Sequence, residues 1–203
     1  MTELLWAPDG SDDAVAARVE AAVKDRREAR LALPGGSTPA AVYARLTSRS
    51  ADWSHVDIWP TDDRIVPAGH AASNSGMLRR AFAATGARIH PLGEGASTPH
   101  FDLVWLGMGA DGHVASLFPN TDPSAGAPAG VIRVTPDPLP AEAPYARLTL
   151  TLAALVAADA IILVVRGDAK RELLEAAAAG KNDLPIARLL AAAPISVTAF
   201  WAA

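Results

Sequence analysis

Two hydrophobic periods alternate along this chain. Val15, Val19, Ala22 and Val23 recur at helical spacing and predict a first helix, with Ser11 as its N-cap. Short, mostly apolar runs predict buried strands at Leu31–Leu33, Val56–Trp59, Ile89–Leu92, Phe101–Leu106, Val131–Val134, Ala160–Val165 and Ile195–Trp201. Helices are expected between them. One runs from Ser37 or Thr38, either of which can cap it, to about Arg49, and another from Ser75 to Ala84. Further ones cover Leu152–Ala157, Ala169–Ala179 and part of Asn182–Ala192. Arg147–Thr151 reads as extended. TDDRIVPAGHAASN, from Thr61, reads as a polar loop, in which Asn74 can cap the next helix. Residues 119 to 144 are rich in Pro, Ala and Gly around one strand.

Apolar strands that alternate with helices predict an α/β fold. The expected form is a three-layer α/β/α arrangement with a mostly parallel sheet covered on both faces. No internal repeat and no long linker divides the chain, so residues 1–203 are expected to form a single domain.

Composition narrows the function. A chain of 203 residues can bury a sizeable core. A net charge of −4 without a basic stripe gives no reason to expect nucleic acid. The absence of cysteine excludes disulfides, a thiol nucleophile and cysteine-ligated zinc, and is compatible with a reducing compartment. No apolar run approaches the roughly 18 residues of a membrane span. The start, MTELLWAPDG, has no basic region followed by a long apolar stretch, so no signal peptide is expected and the address expected is the cytoplasm.

Four constellations could carry chemistry. In LPGGSTP, a strand runs into Gly35 and Gly36, then the hydroxyls of Ser37 and Thr38, then a helix. Such a turn can cradle a phosphate with backbone amides at a helix N-terminus, or it can be a tight turn with a capped helix. It is not a Walker loop, because no Gly-Lys-Ser/Thr follows. The second is Asp62-Asp63-Arg64, after a strand. Its carboxylates could orient a histidine or bind sugar hydroxyls, and the arginine could pair with them or clamp a phosphate. A solvated charged loop is the plainer reading.

The third, GMGADGH, follows a buried strand. Gly107, Gly109 and Gly112 fit G-x-G-x-x-G, but a dinucleotide site needs a long helix and a well-placed acid. Pro119 cuts the expected helix short, and Asp137 lies too far on. The better reading is a loop of amides able to hold an oxyanion, beside a proton-moving His113 with Asp111 as its neighbour. A buried helix-start histidine is the alternative. The fourth is a pair of cations, Arg147 and Lys170, each at an element start where it could reach an anion. There is no G-x-S-x-G elbow and no H-x-x-x-H pair, so neither a serine-hydrolase elbow nor a catalytic zinc is expected.

Together, LPGGSTPAAVYARL, DDRIVPAGHAASNSGML, FDLVWLGMGADGHVASLFP, RLTLTLAAL, RGDAKRELL and PISVTAFW resemble the 6-phosphogluconolactonases, in the order that family shows. The wider group includes glucosamine-6-phosphate deaminase. The resemblance implies a modified Rossmann-like fold, no required metal or cofactor, and hydrolysis of 6-phospho-D-glucono-1,5-lactone. It implies His113 as general base, Arg147 and Lys170 as phosphate-holding cations with the Gly36-Ser37-Thr38 loop, and Asp62 and Arg64 in a family Asp-Glu-Arg segment. Asp63 stands where glutamate is usual. The deaminases usually carry a glutamate five residues after the histidine, where this chain has Phe118. A sugar-phosphate sensor would need a helix-turn-helix, for which the α/β pattern leaves no room. The expected partner is a small sugar-phosphate lactone, bound by a monomer or weak homodimer.

Overall fold

The computed structural model describes residues 3–49, 51–120, 126–140 and 143–203. Its main sheet has seven strands: β1 (Leu4–Trp6), β2 (Ala29–Leu33), β3 (Val56–Pro60), β5 (Arg88–Ile89), β6 (Leu103–Gly107), β9 (Ile161–Arg166) and β10 (Val197–Ala202). Their spatial order is β1-β10-β9-β6-β2-β3-β5, and every pairing is parallel. A smaller antiparallel sheet joins β4 (Asp62–Arg64), β8 (Arg147–Leu150) and β7 (Val131–Val134) in that order.

Both faces of the main sheet are buried, which is why its strands read as unbroken apolar runs. Along β6, Leu103 and Trp105 join one core, and Val104 and Leu106 the other. The same alternation runs through Ile161 to Val165 in β9. Helices α1 (Asp12–Val23), α2 (Ser37–Ser48) and α3 (Asn74–Ala81) bury their apolar sides in one core. Helices α4 (Leu152–Val156), α5 (Asp168–Ala178) and α6 (Pro185–Ala192) bury theirs in the other. The result is the expected three-layer α/β/α arrangement.

Chain order reverses at the middle of the sheet. From β2 the chain steps outward through β3 to β5, then returns to lay β6 on the other side of β2. A crevice opens at the carboxyl ends of two such strands, where their loops diverge. The ends concerned are Leu33 of β2 and Gly107 of β6.

Several local expectations are corrected. Asp62–Arg64 is a strand, not loop, because Asp62 and Arg64 pair with Thr149 and Arg147 of β8. β1 joins the sheet edge through β10, although three residues carry too little pattern to be read as a strand. No helix follows Gly112: residues 113–118 form turns, with isolated bridges from Val114 to Met108 and Leu117. Ser73, rather than Asn74, caps α3 by accepting from the Gly76 amide at 3.0 Å. At α2, neither Ser37 nor Thr38 is the cap. Gly36 occupies that position at φ 106°, where a side chain would be strained, and no side chain caps the helix.

Candidate active site

A cleft of about 300 Å³ lies at the reversal point. The turn after β2 supplies Gly35, Gly36, Ser37 and Thr38; the small sheet supplies Asp62, Arg64 and Arg147. The loop after β6 adds Gly107, Gly109 and His113, and Lys170 enters from the first turn of α5. Elements far apart in sequence are thus brought to one cavity. Asp111 does not line it but stands behind His113, 2.6 Å from its Nδ1.

The β2–α2 turn leaves a helix start open to the cleft. With no side-chain cap, the first amides of α2 remain available, and the helix dipole favours negative charge there. The buried Tyr43 hydroxyl donates to the Pro34 carbonyl at 2.7 Å and fixes the start of the turn. Burial pushes the Tyr43 pKa well up, so this donor keeps its proton. Gly35 is required sterically: a Cβ there would lie 1.9 Å from Asn74 Oδ1. α5 likewise starts without a side-chain cap, after Gly167 at φ 85°.

The His113 loop is folded on itself. The Gly109 amide donates to the His113 carbonyl at 2.9 Å, and the Gly112 amide to the Gly109 carbonyl at 3.1 Å. From α6, the Ile186 amide donates to the Gly112 carbonyl at 3.1 Å. Asp111 Oδ1 accepts from both the His113 amide, at 3.2 Å, and the ring. Partial burial works to raise the Asp111 pKa, but the His113 charge and hydrogen bonds outweigh it and hold the carboxyl below its usual value. An ionised Asp111 accepts a hydrogen bond from Nδ1–H, which leaves Nε2 as the ring's acceptor. Phe118 packs on the ring with centroids 4.6 Å apart.

Asp62 is buried and makes no bond to His113. Its Oδ2 accepts from Ser116 Oγ and lies 3.8 Å from Arg147 Nη1, while its Oδ1 accepts from Asn74 Nδ2 at 3.2 Å. Of the two roles open to Asp62, orienting the histidine is not the one found. Asp63 turns the other way and receives the Asn74 and Ser75 amides, at 2.6 and 3.0 Å, at the start of α3. Its short side chain therefore serves the helix terminus. Arg64 donates to the Ala72 carbonyl and Asn74 Oδ1, both at 3.1 Å.

Arg147 is buried, donates to the Ala143 carbonyl at 3.2 Å and lies over the Phe118 ring. Desolvation lowers its pKa, Asp62 opposes this, and the Arg64 charge adds to it. Two guanidiniums, one of them buried, thus line the same side of the cleft, with the Asp62 carboxylate offsetting part of their charge. Arg64, His113 and Arg147 also face an adjoining cleft lined by His70, Phe118 and Tyr145.

Sequence reasoning missed four contributors. Arg166, at the end of β9, lines the cleft while its guanidinium is held by Asp12 at 2.9 Å. Asn74, whose place in the sequence suggests only a helix cap, bonds Asp62 and Arg64. Trp105 closes the floor, and Ser116 ties the histidine loop to Asp62. The strand-end position of Arg166 was a usable signal; the others depend on contacts across the fold.

Fold and cleft define an α/β protein with a crevice, lined by cations and an uncapped helix start, beside a histidine–carboxylate pair. The chain belongs to the glucosamine-6-phosphate isomerase/6-phosphogluconolactonase family, whose model matches residues 9–201. It is 39% identical to a 6-phosphogluconolactonase of Caulobacter vibrioides, over 84% of this chain and 82% of that protein. It is 37% identical to one of Mesorhizobium japonicum, over 93% and 87%. The crystal structure of a 6-phosphogluconolactonase from Shewanella baltica superposes with a TM-score of 0.81, at 28% identity, covering 100% of this chain and 98% of that one. Among the described residues, no helix is long and apolar enough to cross a membrane.

Proposed function

We propose that this protein hydrolyses 6-phospho-D-glucono-1,5-lactone to 6-phospho-D-gluconate, a step of the oxidative pentose phosphate pathway. The observation that carries the reading is His113, backed by Asp111 at 2.6 Å, facing a cleft with an uncapped helix start and Lys170. The relatives named 6-phosphogluconolactonase support it.

Lactone opening is ester hydrolysis. In this reading Nε2 of neutral His113 takes a proton from water as it attacks the lactone carbonyl. The tetrahedral oxyanion forms beside the backbone of residues 107–109, where one amide donor is worth about 3 kcal/mol. The Gly109 amide is not that donor, because the His113 carbonyl takes it at 2.9 Å. The imidazolium, stabilised by Asp111, returns the proton to the ring oxygen as the C–O bond breaks. Arg64, Arg147, Lys170 and the Gly35–Thr38 turn hold the phosphate, and this positioning supplies several kcal/mol more. Asp62 is assigned to holding the arginine side of the site. The lactone also opens spontaneously in water, so one positioned base is a sufficient design. All these groups come from one chain, which suits a monomer or weak homodimer, and the setting proposed is the cytoplasm.

The test is hydrolysis of lactone generated in situ from glucose 6-phosphate by its dehydrogenase, measured against the spontaneous rate. Acceleration by the parent chain that is lost in His113→Ala supports the reading. No acceleration at micromolar enzyme overturns it. Ammonia release from glucosamine 6-phosphate would point to the deaminase chemistry instead.

A further inference from the structure

We propose that Ser116 is a positioning residue that sets the distance between His113 and the arginines of the small sheet. The inference rests on the lactonase reading and adds a residue to the same site. His113 lies on a stretch with neither helix nor strand, so something else must hold it. Ser116 lies three residues further along that stretch and is fully buried. Its hydroxyl donates to Asp62 Oδ2 on β4, and its amide donates to Thr149 Oγ1 on β8 at 3.2 Å. Among the described residues these are the two hydrogen bonds joining residues 108–118 to the small sheet. That sheet carries Arg64 and Arg147, and Asp62 itself faces Arg147.

The backbone beside Ser116 shows that the loop is held in place. Ala115 lines the cleft at φ 49°, in the left-handed region that a residue with a Cβ rarely adopts. Such a conformation persists only where neighbouring contacts over-determine it. Val114 and Leu117, buried on either side, supply apolar contacts, and Ser116 supplies the directional ones. Removing its hydroxyl leaves the loop packed but tied to the small sheet by the amide bond to Thr149 alone, which lets it shift relative to the arginines.

The test compares Ser116→Ala with the parent chain in three ways. Steady-state lactone hydrolysis gives kcat and KM. Calorimetric titration with 6-phosphogluconate counts folded sites. Ring NMR reports on His113, assigned against His113→Ala. The expected result is a kcat per product-binding site lower by about tenfold or more, because a small misplacement of the base is costly. KM and product affinity stay within about threefold, since the phosphate clamp is intact. The His113 ring signals broaden or double. A merely structural role would lower melting temperature and site count and leave kcat per site unchanged; that outcome overturns the proposal. If Ser116→Ala does not fold, Thr149→Val removes the acceptor of the Ser116 amide and is expected to lower kcat per site likewise; an unchanged value overturns the proposal. If the parent chain fails to accelerate lactone opening, the lactonase reading falls. The NMR comparison then decides for Ser116 alone, and a single sharp ring signal in Ser116→Ala counts against it.

Discussion

Asp111 Oδ1 sits 2.6 Å from Nδ1 of His113, and the same oxygen accepts the His113 backbone amide. One carboxylate thereby fixes both the ring tautomer and the chain that carries it. His113→Ala is expected to lower kcat by about 10²- to 10⁴-fold, the usual contribution of a general base. Binding of 6-phosphogluconate should persist, because the cations are untouched. Asp111→Asn should keep the loop closed but weaken control of the tautomer, with kcat falling by about 10²-fold. Unchanged turnover in His113→Ala, measured against spontaneous hydrolysis, would remove it as the base.

Gly109 is where the site leaves no room. A Cβ there would lie 2.2 Å from His113 Nδ1 and 2.6 Å from Asp111 Oδ1. The Gly109 backbone is outside the left-handed region, so alanine adds no local backbone strain. Gly109→Ala is therefore expected to fold and to push the ring from Asp111. A displacement of that size should cost about 10²-fold in kcat, while KM changes little. Steady-state kinetics with a thermal melt checks both halves; normal kcat would mean that the pair can move without loss.

These contacts also mark what the sequence could disclose. Strands β6 and β9 were legible because both faces are buried, so apolar runs had no competing reading. The turns after β2 and β6 were legible as strand-end loops because their glycines directly follow apolar runs. β4 was not, because Asp62-Asp63-Arg64 has no apolar pattern and becomes a strand only through β8. The Ser116–Asp62 bond spans 54 residues, and the Arg166–Asp12 pair spans 154, so neither leaves a local trace. The helix expected after Gly112 failed for a related reason. Val114 and Leu117 are drawn into the core and Ser116 to the small sheet, which outweighs the weak propensity of so short a segment.

Lys170 stands on the first turn of α5, beside an uncapped helix start. Its contact with a bound phosphate would be made equally in substrate and transition state, so its loss is read mainly in binding. Lys170→Ala is expected to raise KM by about tenfold or more, the equivalent of about 1.4 kcal/mol, with a smaller change in kcat. Raising the ionic strength should raise the parent KM more than that of the variant, because salt screens the charge that the variant lacks. An unchanged KM would take Lys170 out of the clamp.

Asp57 offers a test of stability away from the cleft. It receives Arg88 through Nε at 2.8 Å and Nη2 at 2.6 Å, and His90 through Nε2 at 2.6 Å. These contacts pin the two-residue edge strand β5, and His90 stacks on Trp59 at 4.3 Å. The Arg88 bonds, helped by His90 and opposed by partial burial, hold the Asp57 pKa below its ordinary value of 3.8. A depressed carboxyl stabilises the fold fully above the unfolded pKa, and that contribution fades as pH falls through the folded one. Asp57→Asn is therefore expected to cost about 1 kcal/mol near pH 7, a modest value because Arg88 is half exposed. The gap between parent and variant should shrink as pH drops below 3.8. Urea unfolding near pH 7 and near pH 3, followed by tryptophan fluorescence, measures it directly. A gap that stays constant between the two would show that the pair holds β5 by shape and not by charge.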